Sequence, residues 1–372
     1  MSARAWADVS LDAIAANVET LRAMCAPAEV CAVVKADGYG HGAVPVARAA
    51  VDAGAAWLAV AQVAEAAALR AAGVTAPILL LSEPPLADVD AAIATGVAVT
   101  AYTEPLIRRL AEEARAGGLP VPVHLKVDTG MHRVGAAPDA VVRLAQLVHA
   151  APGLSLDAMW THCAVADEPD DPFTALQLER FDGAVAAVEE AGIRVPMRHA
   201  ANSAAAIAHP GSRYDLVRCG IAVYGIPPAP ALADRVALEP AVRLATEVAF
   251  VKPLGRGERV SYGLRHALPH DTMVATLPVG YADGVPRRLG LEGQHVLVGG
   301  QRHPMVGVVT MDQVLVDLGP ESEVAVGDEA VLLGAQGGER ISPDEWAARL
   351  GTISYEVVCG LGARVERRYG GS

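Results

Sequence analysis

The sequence predicts an α/β chain: an N-terminal (β/α)8 barrel of the TIM type followed by a C-terminal, mostly-β domain. Three observations predict it. Between Val30 and Cys219, short apolar runs alternate with alanine- and leucine-rich stretches of helical length, the pattern of a parallel sheet covered by helices. The alternation gives eight strand–helix units, the number a (β/α)8 barrel uses; a six-stranded doubly wound sheet would leave two unexplained. Past Tyr224 the proline-rich stretch Gly225-Ile226-Pro227-Pro228-Ala229-Pro230 ends the alternation, and short β-type runs with Gly and Pro turns follow.

In chain order, Ala5 to Val9 reads as a strand. Ser10 offers an N-cap to a helix whose apolar face is Leu11, Ile14, Val18 and Leu21. Barrel strands are expected at Val30–Lys35, Trp57–Ala61, Ile78–Leu81, Val97–Ala101, Val121–Val127, Leu156–Thr161, Met197–Ala200 and Leu216–Cys219. Helices are expected between them, among them Ala43 to Ala53, Val63 to Ala72, Glu104 to Ala116, Asp139 to His149 and Phe173 to Ala191. In the second domain the β-runs are Leu244–Val251, Met273–Pro278, His295–Val298, Met305–Val309, Gln313–Leu318 and Ala330–Leu333. One helix, Ser342 to Leu350, has the capped start Ser342-Pro343-Asp344-Glu345. The expected organisation is an N-terminal strand, residues 1–10, joining the C-terminal domain, a barrel over residues 11–232, and the C-terminal domain over residues 233–372.

Composition narrows the function. The chain has 372 residues, 52% of them hydrophobic and 20% charged, enough for two folded domains. A net charge of -13 argues against nucleic acid or an anionic membrane as a general partner. The five cysteines are odd in number and scattered with no C-x-x-C, which reads as free thiols in a reducing compartment. Met1 to Asp8 hold no apolar core of signal-peptide length, and no apolar run is long enough to span a bilayer; a cytoplasmic protein is expected. His162-Cys163 is too sparse for a zinc site, so no metal is expected.

Chemistry in such a barrel gathers at the C-terminal ends of its strands. Those positions hold Lys35 and then Tyr39; Lys126, Asp128, His132 and Arg133; His162; His199, Asn202 and Ser203; and Arg218, Gly220 and Ile221. Cations dominate this rim in an acidic chain, which points to an anionic ligand. Lys35 ends a buried strand, where lost hydration favours the neutral amine that Schiff-base chemistry uses. Alternatively, it is a lysine reaching to solvent. Gly38, Gly40 and Ala43 also fit G-x-G-x-x-[GA], the dinucleotide fingerprint, with Glu65 as an available acidic partner; the eight-unit count argues against it. Ser203, Gly220 and Ile221 follow the seventh and eighth strands, the usual phosphate site of this fold. A phosphate there and an amine at Lys35 suggest pyridoxal 5'-phosphate, with Arg218 near the ring nitrogen.

The motifs Val33-Val34-Lys35-Ala36-Asp37-Gly38-Tyr39-Gly40-His41-Gly42, Lys126-Val127-Asp128-Thr129-Gly130-Met131, His199-Ala200-Ala201-Asn202-Ser203 and Arg218-Cys219-Gly220-Ile221-Ala222-Val223-Tyr224-Gly225 stand in the barrel. Ser261-Tyr262-Gly263, Gly280-Tyr281-Ala282-Asp283-Gly284, Met311-Asp312-Gln313 and Tyr355-Glu356-Val357-Val358-Cys359 stand in the β-domain. With them the chain resembles the bacterial alanine racemases over nearly its whole length. The resemblance implies a pyridoxal-phosphate-dependent isomerase interconverting L- and D-alanine for peptidoglycan. Lys35 would hold the cofactor as the internal aldimine, and Tyr39, Ser203, Gly220, Ile221 and Tyr355 would hold its phosphate. Arg218 would face the pyridine nitrogen and Arg133 the ring hydroxyl, with His162 and Asn202 also at the cofactor. Lys126 would be carbamylated and position Arg133. Tyr262 would be the second base, and Arg133, Tyr281 and Met311 would meet the substrate. The resemblance places Tyr262, Tyr281 and Met311 in the partner subunit's site, so a homodimer is expected. Asp37-Gly38 and His132 depart from the commonest form of these motifs, which bears on substrate preference.

These residues suit racemisation, which needs a base on each face of the substrate Cα. A phenol holds its proton at neutral pH unless cations lie near, and His162 and Arg218 are the expected cationic neighbours of Tyr262. Arg218 keeps its own proton, leaving a facing ring nitrogen unprotonated and the ring a weaker electron sink. Lys126, if unmodified, would pair with Asp128. The alternatives are a broad-specificity amino-acid racemase, a decarboxylase of the same two-domain plan, and a non-catalytic carrier of the cofactor, which would not need Tyr262 and Met311.

Overall fold

Val-, Ile-, Leu- and Ala-rich runs, most of them covered on both faces, form a nearly closed barrel. The computed structural model describes residues 4–117 and 120–370. The first three residues of the expected N-terminal segment and the last two of the expected C-terminal domain lie outside the described residues. Contacts divide the chain into two units, one of Ala13–Gly38 and Ala43–Glu239, the other of Met1–Asp12, Tyr39–Gly42 and Pro240–Ser372.

The strands in chain order begin with β1 (Ala5–Ser10), followed in the first unit by β2 (Glu29–Val33), β3 (Trp57–Val60), β4 (Ile78–Leu80), β5 (Ala98–Ala101), β6 (Val121–Lys126), β7 (Leu154–Trp160), β8 (Met197–His199) and β9 (Leu216–Cys219). Strands β2 to β9 form an eight-stranded sheet in the order β8-β7-β6-β5-β4-β3-β2-β9. Every pair in it is parallel. At the remaining seam, Asp215 N–H donates to the Arg198 carbonyl at 3.0 Å and Arg218 N–H to the Ala201 carbonyl at 2.9 Å, so the barrel is nearly closed. The helices match their expected places, for example Val63–Ala71, Glu104–Gly117, Val141–Ala150 and Phe173–Glu190.

The second unit continues with β10 (Val242–Glu247), β11 (Phe250–Leu254), β12 (Arg259–Val260), β13 (His266–Ala267), β14 (Thr272–Leu277), β15 (His295–Val298), β16 (Gln301–Pro304), β17 (Val314–Asp317), β18 (Glu329–Gln336), β19 (Glu339–Ile341) and β20 (Glu366–Gly370). Its largest sheet runs β16-β15-β18-β10-β1-β20, with β19 on β18; β11-β14-β17 form a second sheet and β12-β13 a hairpin. β1 pairs antiparallel with β10 and parallel with β20, so the N-terminal strand is an interior strand of this sheet.

Two β-runs differ from expectation. Leu244–Val251 is broken into β10 and β11, which lie in different sheets. Met305–Val309 is not a strand: it has one isolated bridge, Met305 to Val316, and then spends its backbone on loops, Val309 N–H reaching the Arg287 carbonyl. Its residues are apolar because they are buried, at 2–3% exposure for Met305, Val306, Val308 and Val309. The expected helix near Ser342 is Pro343–Leu350, with Ser342 Oγ accepting from Glu345 N–H.

Candidate active site

Lys35 stands just past the C-terminal end of β2. The chain beyond it turns left-handed, with φ of 52° at Ala36, 51° at Asp37 and 60° at Gly38. Two of these residues are not glycine, and L-residues resist this conformation, so side chains must hold it. Asp37 Oδ1 accepts from Ala43 N–H at 2.9 Å. Glu65 accepts from Ala36 N–H at 2.7 Å with one oxygen and from Ala61 and Gln62 N–H at 2.8 and 3.0 Å with the other. Glu65 is thereby engaged as a clamp of this turn, and no dinucleotide-type acidic partner remains there.

On the neighbouring strand, paired with β2, Arg218 is 3% exposed at the end of β9. Its Nη1 donates to His199 Nδ1 at 2.8 Å, and its Nη2 to the Thr161 and Ala200 carbonyls at 2.9 and 3.0 Å and to His162 Nδ1 at 3.2 Å. Its Nε–H has no partner among the described residues, so one donor of the fork is left for a ligand. Trp160 lies under two basic side chains of the site, 4.4 Å from Lys126 Nζ and 4.4 Å from the Arg218 guanidinium carbon.

The electrostatics correct one expectation. Burial first, and then the charges of Arg218, Lys126, Arg133 and Lys35, hold His162 well below the usual imidazole range. His162 is neutral, a hydrogen-bond partner of Arg218 and not a cationic neighbour for Tyr262. Lys126, 3% exposed, has its ammonium destabilised by burial and by Arg218, Arg133 and Lys35, against a smaller opposing pull from Asp128; its pKa falls to about 7. No ion pair joins Lys126 to Asp128 among the described residues. Asp128 instead accepts from the Gly130 and His132 N–H groups and meets the His132 ring at 3.2 Å. Arg133 is exposed on the same loop.

The phosphate-site residues come together in part. Ser203, 3% exposed, heads the helix Ser203–Ala208, whose N-cap Asn202 accepts from Ala205 N–H at 2.9 Å. Ser203 Oγ accepts from Gly220 N–H at 2.9 Å and Ala222 N–H at 3.5 Å, which joins the ends of β8 and β9 beside Ile221. In the second unit, the rings of Tyr39 and Tyr355 lie 6.2 Å apart. Gly40 is required there, because a Cβ would stand 2.3 Å from the Val358 carbonyl oxygen. Tyr355 belongs to the helix Ser354–Cys359, an element too short for the sequence pattern to signal.

Tyr281 and Met311 are also brought together. Tyr281 N–H donates to the Thr310 carbonyl at 3.0 Å, and Ala282 N–H to the Met311 carbonyl at 3.1 Å. The Tyr262 loop is tied to the same segment by Ser261 Oγ, which donates to the Val308 carbonyl at 2.5 Å. Residues 307–311 therefore fix both loops. Tyr262, Met311 and Tyr281 are exposed at 71%, 52% and 42%.

The donor set of the first unit fits pyridoxal 5'-phosphate: a primary amine at one strand end, a small hydroxyl with neighbouring backbone N–H groups for an anion, and a guanidinium with an unspent N–H for a ring nitrogen acceptor. Arg364, which meets Asp283 at 3.1 Å and Asp312 at 2.8 Å, is a supporting residue that no motif spacing would signal, and Glu65, which the sequence offered as a dinucleotide-type acid, supports the Lys35 turn instead.

Comparison with known proteins agrees with this geometry. Residues 9–228 match the family model described as alanine racemase, N-terminal domain, and residues 241–369 match alanine racemase, C-terminal domain. The alanine racemase of Symbiobacterium thermophilum is 49% identical over 366 residues, 98% of this chain and 97% of that protein. The crystal structure of alanine racemase from D-cycloserine producing Streptomyces lavendulae superposes with a TM-score of 0.94 at 40% identity, covering 100% of this chain and 98% of that one. A histidine racemase from Leuconostoc mesenteroides superposes with a TM-score of 0.91 at 29% identity, covering 99% and 98%. With both domain models matched in order and the relatives aligned end to end, the chain belongs to the alanine racemase family.

Proposed function

We propose that this chain binds pyridoxal 5'-phosphate at the barrel mouth and there interconverts L-alanine and D-alanine, supplying D-alanine for peptidoglycan. The observation that carries the reading is the Arg218 fork, buried, fixed through Nη1 and Nη2 by contacts to four acceptors, with its Nε–H left to offer. Ser203, Gly220, Ile221, Tyr39 and Tyr355 hold the phosphate end, with Asn202 also at the cofactor. Arg218 faces the ring nitrogen, Arg133 the ring hydroxyl, and Lys35 carries the cofactor.

Bound pyridoxal phosphate withdraws electrons from the substrate and makes its Cα proton removable. The Lys35 amine takes or returns that proton on one face, and the Tyr262 phenol acts on the other. His162, neutral, hydrogen-bonds Arg218 and holds its plane. Arg133, Tyr281 and Met311 bind the substrate carboxylate side. The Lys126 amine, neutral for a large part of the population at neutral pH, attacks carbon dioxide. A C–N bond forms and one proton is released, leaving a carbamate that gives Arg133 an anionic partner.

The exposure of Tyr262, Tyr281 and Met311 supports a homodimer in which each subunit's β-domain completes its partner's site. No described helix is long and apolar enough to cross a membrane, and the enzyme acts in the cytoplasm. A second reading, a broad-specificity racemase, is favoured by the histidine racemase of the same architecture.

Incubation with L-alanine in deuterium oxide tests both. Loss of optical activity with deuterium entering Cα, abolished in Lys35→Ala and Tyr262→Phe, is the expected result. Exchange without inversion would return the carrier and decarboxylase readings, and comparable rates on serine or histidine would favour the broad enzyme.

A further inference from the structure

Behind the Arg218 fork, a line of imidazoles runs into the barrel. His124 lies on β6 two residues before Lys126, on the same face of the strand, and is fully buried. Its Nδ1 is 3.1 Å from His199 Nε2, and His199 Nδ1 is 2.8 Å from Arg218 Nη1. A guanidinium only donates. His199 Nδ1 therefore accepts, the His199 proton sits on Nε2, and that N–H donates to His124 Nδ1. His124 then carries its own proton on Nε2, which is buried with no hydrogen-bond partner among the described residues. Burial and the Arg218 charge keep both rings neutral, with the His124 pKa at about 3 and His199 well below the usual range. Trp57 packs on His124 at 5.3 Å, and Trp160 stacks on His199 at 5.5 Å.

An unpaired N–H in a barrel interior is costly, and a leucine would fill the place without one. What only the imidazole supplies is an acceptor at Nδ1. We propose that His124 is a positioning residue for Arg218: by accepting the His199 N–H it fixes the His199 ring with Nδ1 toward the guanidinium, and so sets the plane in which the Arg218 Nε–H is offered. The proposal rests on the reading that Arg218 faces the ring nitrogen of the cofactor.

The test uses holoenzyme labelled with 15N at histidine and loaded with pyridoxal 5'-phosphate labelled at its pyridine nitrogen. Nitrogen NMR is expected to show His199 and His124 as neutral rings protonated at Nε2. The pyridine signal should shift in His124→Leu and return in His124→Asn, whose Oδ1 stands near the lost Nδ1. The leucine variant should also lose about tenfold in kcat with KM unchanged. A wild-type His199 proton on Nδ1 overturns the proposal without any variant. So does a signal that moves in Arg218→Lys but not in His124→Leu, or one that moves alike in the leucine and asparagine variants, which is a packing effect. A signal indifferent to Arg218→Lys overturns the placement of Arg218 itself, and the proposal with it.

Discussion

Glu65 accepts the backbone N–H of Ala36, the residue after Lys35, at 2.7 Å while its other oxygen accepts from Ala61 and Gln62. One carboxylate thus ties the turn that carries the amine to the start of the helix Val63–Ala71. The turn is left-handed at non-glycine residues and would relax if released. All the groups facing Glu65 here are donors, so an amide cannot replace the carboxylate without turning its NH2 toward an N–H. Glu65→Gln is therefore expected to lose about 1–2 kcal/mol of stability, the range for partly exposed bonds to a charged group. It should also load pyridoxal phosphate more weakly. Urea unfolding of the apoprotein and absorbance titration of the cofactor measure the two effects; unchanged values in both would remove the clamp.

Lys126 predicts a pH dependence. Its folded pKa of about 7 lies below the unfolded value, so burying the amine destabilises the fold most where the unfolded chain is protonated and the folded chain must be too. Below the folded pKa this cost is complete. As pH rises above it, the unfolded state binds more protons than the folded one, so stability increases until the unfolded lysine also titrates. Carbon-dioxide-free protein should gain stability over that window, and Lys126→Met should not. Native mass spectrometry with bicarbonate should show one carbon dioxide adduct, released by acid. An adduct persisting in Lys126→Met would place the modification elsewhere.

Gly307 controls the Tyr262 loop. Its φ is +76°, and a Cβ would stand 2.8 Å from Ser261 Cβ and 3.1 Å from the Val260 carbonyl oxygen. Ser261 is itself held at φ 62°, so this backbone has little freedom to give way. Gly307→Ala combines a disfavoured backbone with a clash, about 1–3 kcal/mol together. Because residues 307–311 also clasp Tyr281, the variant should lower kcat while leaving cofactor binding intact. Cofactor release from Gly307→Ala would show that the damage spreads beyond these loops.

The barrel was legible because its strands are buried on both faces and read as continuous apolar runs, which alternate visibly with alanine-rich helices. Met305–Val309 misled for the same reason: burial makes a run apolar, but it does not say whether the backbone bonds a strand or a loop. The site was legible where chemistry sits at strand ends, as at Lys35, Lys126 and Arg218. The charge of His162 was not, since it depends on desolvation and on cations brought from other strands. Glu65 stands in the sequence as a spare acid, and only folding reveals that it accepts from an N–H twenty-nine positions away.

Tyr262 yields the sharpest test of the shared site. It is 71% exposed, next to exposed Leu264 at 55%, on a loop held by Ser261 and Gly307, and a fixed, exposed apolar pair suits a subunit interface. If Tyr262 serves the partner's Lys35, then Lys35→Ala and Tyr262→Phe are each inactive, yet they complement. In a hybrid dimer one site carries both defects and the other carries neither. Dissociating and reassociating equal amounts of the two variants should restore about a quarter of wild-type activity, since half the dimers are hybrids with one sound site each. If Tyr262 instead served the Lys35 of its own chain, every site in every dimer would hold one defect, and mixing would restore nothing.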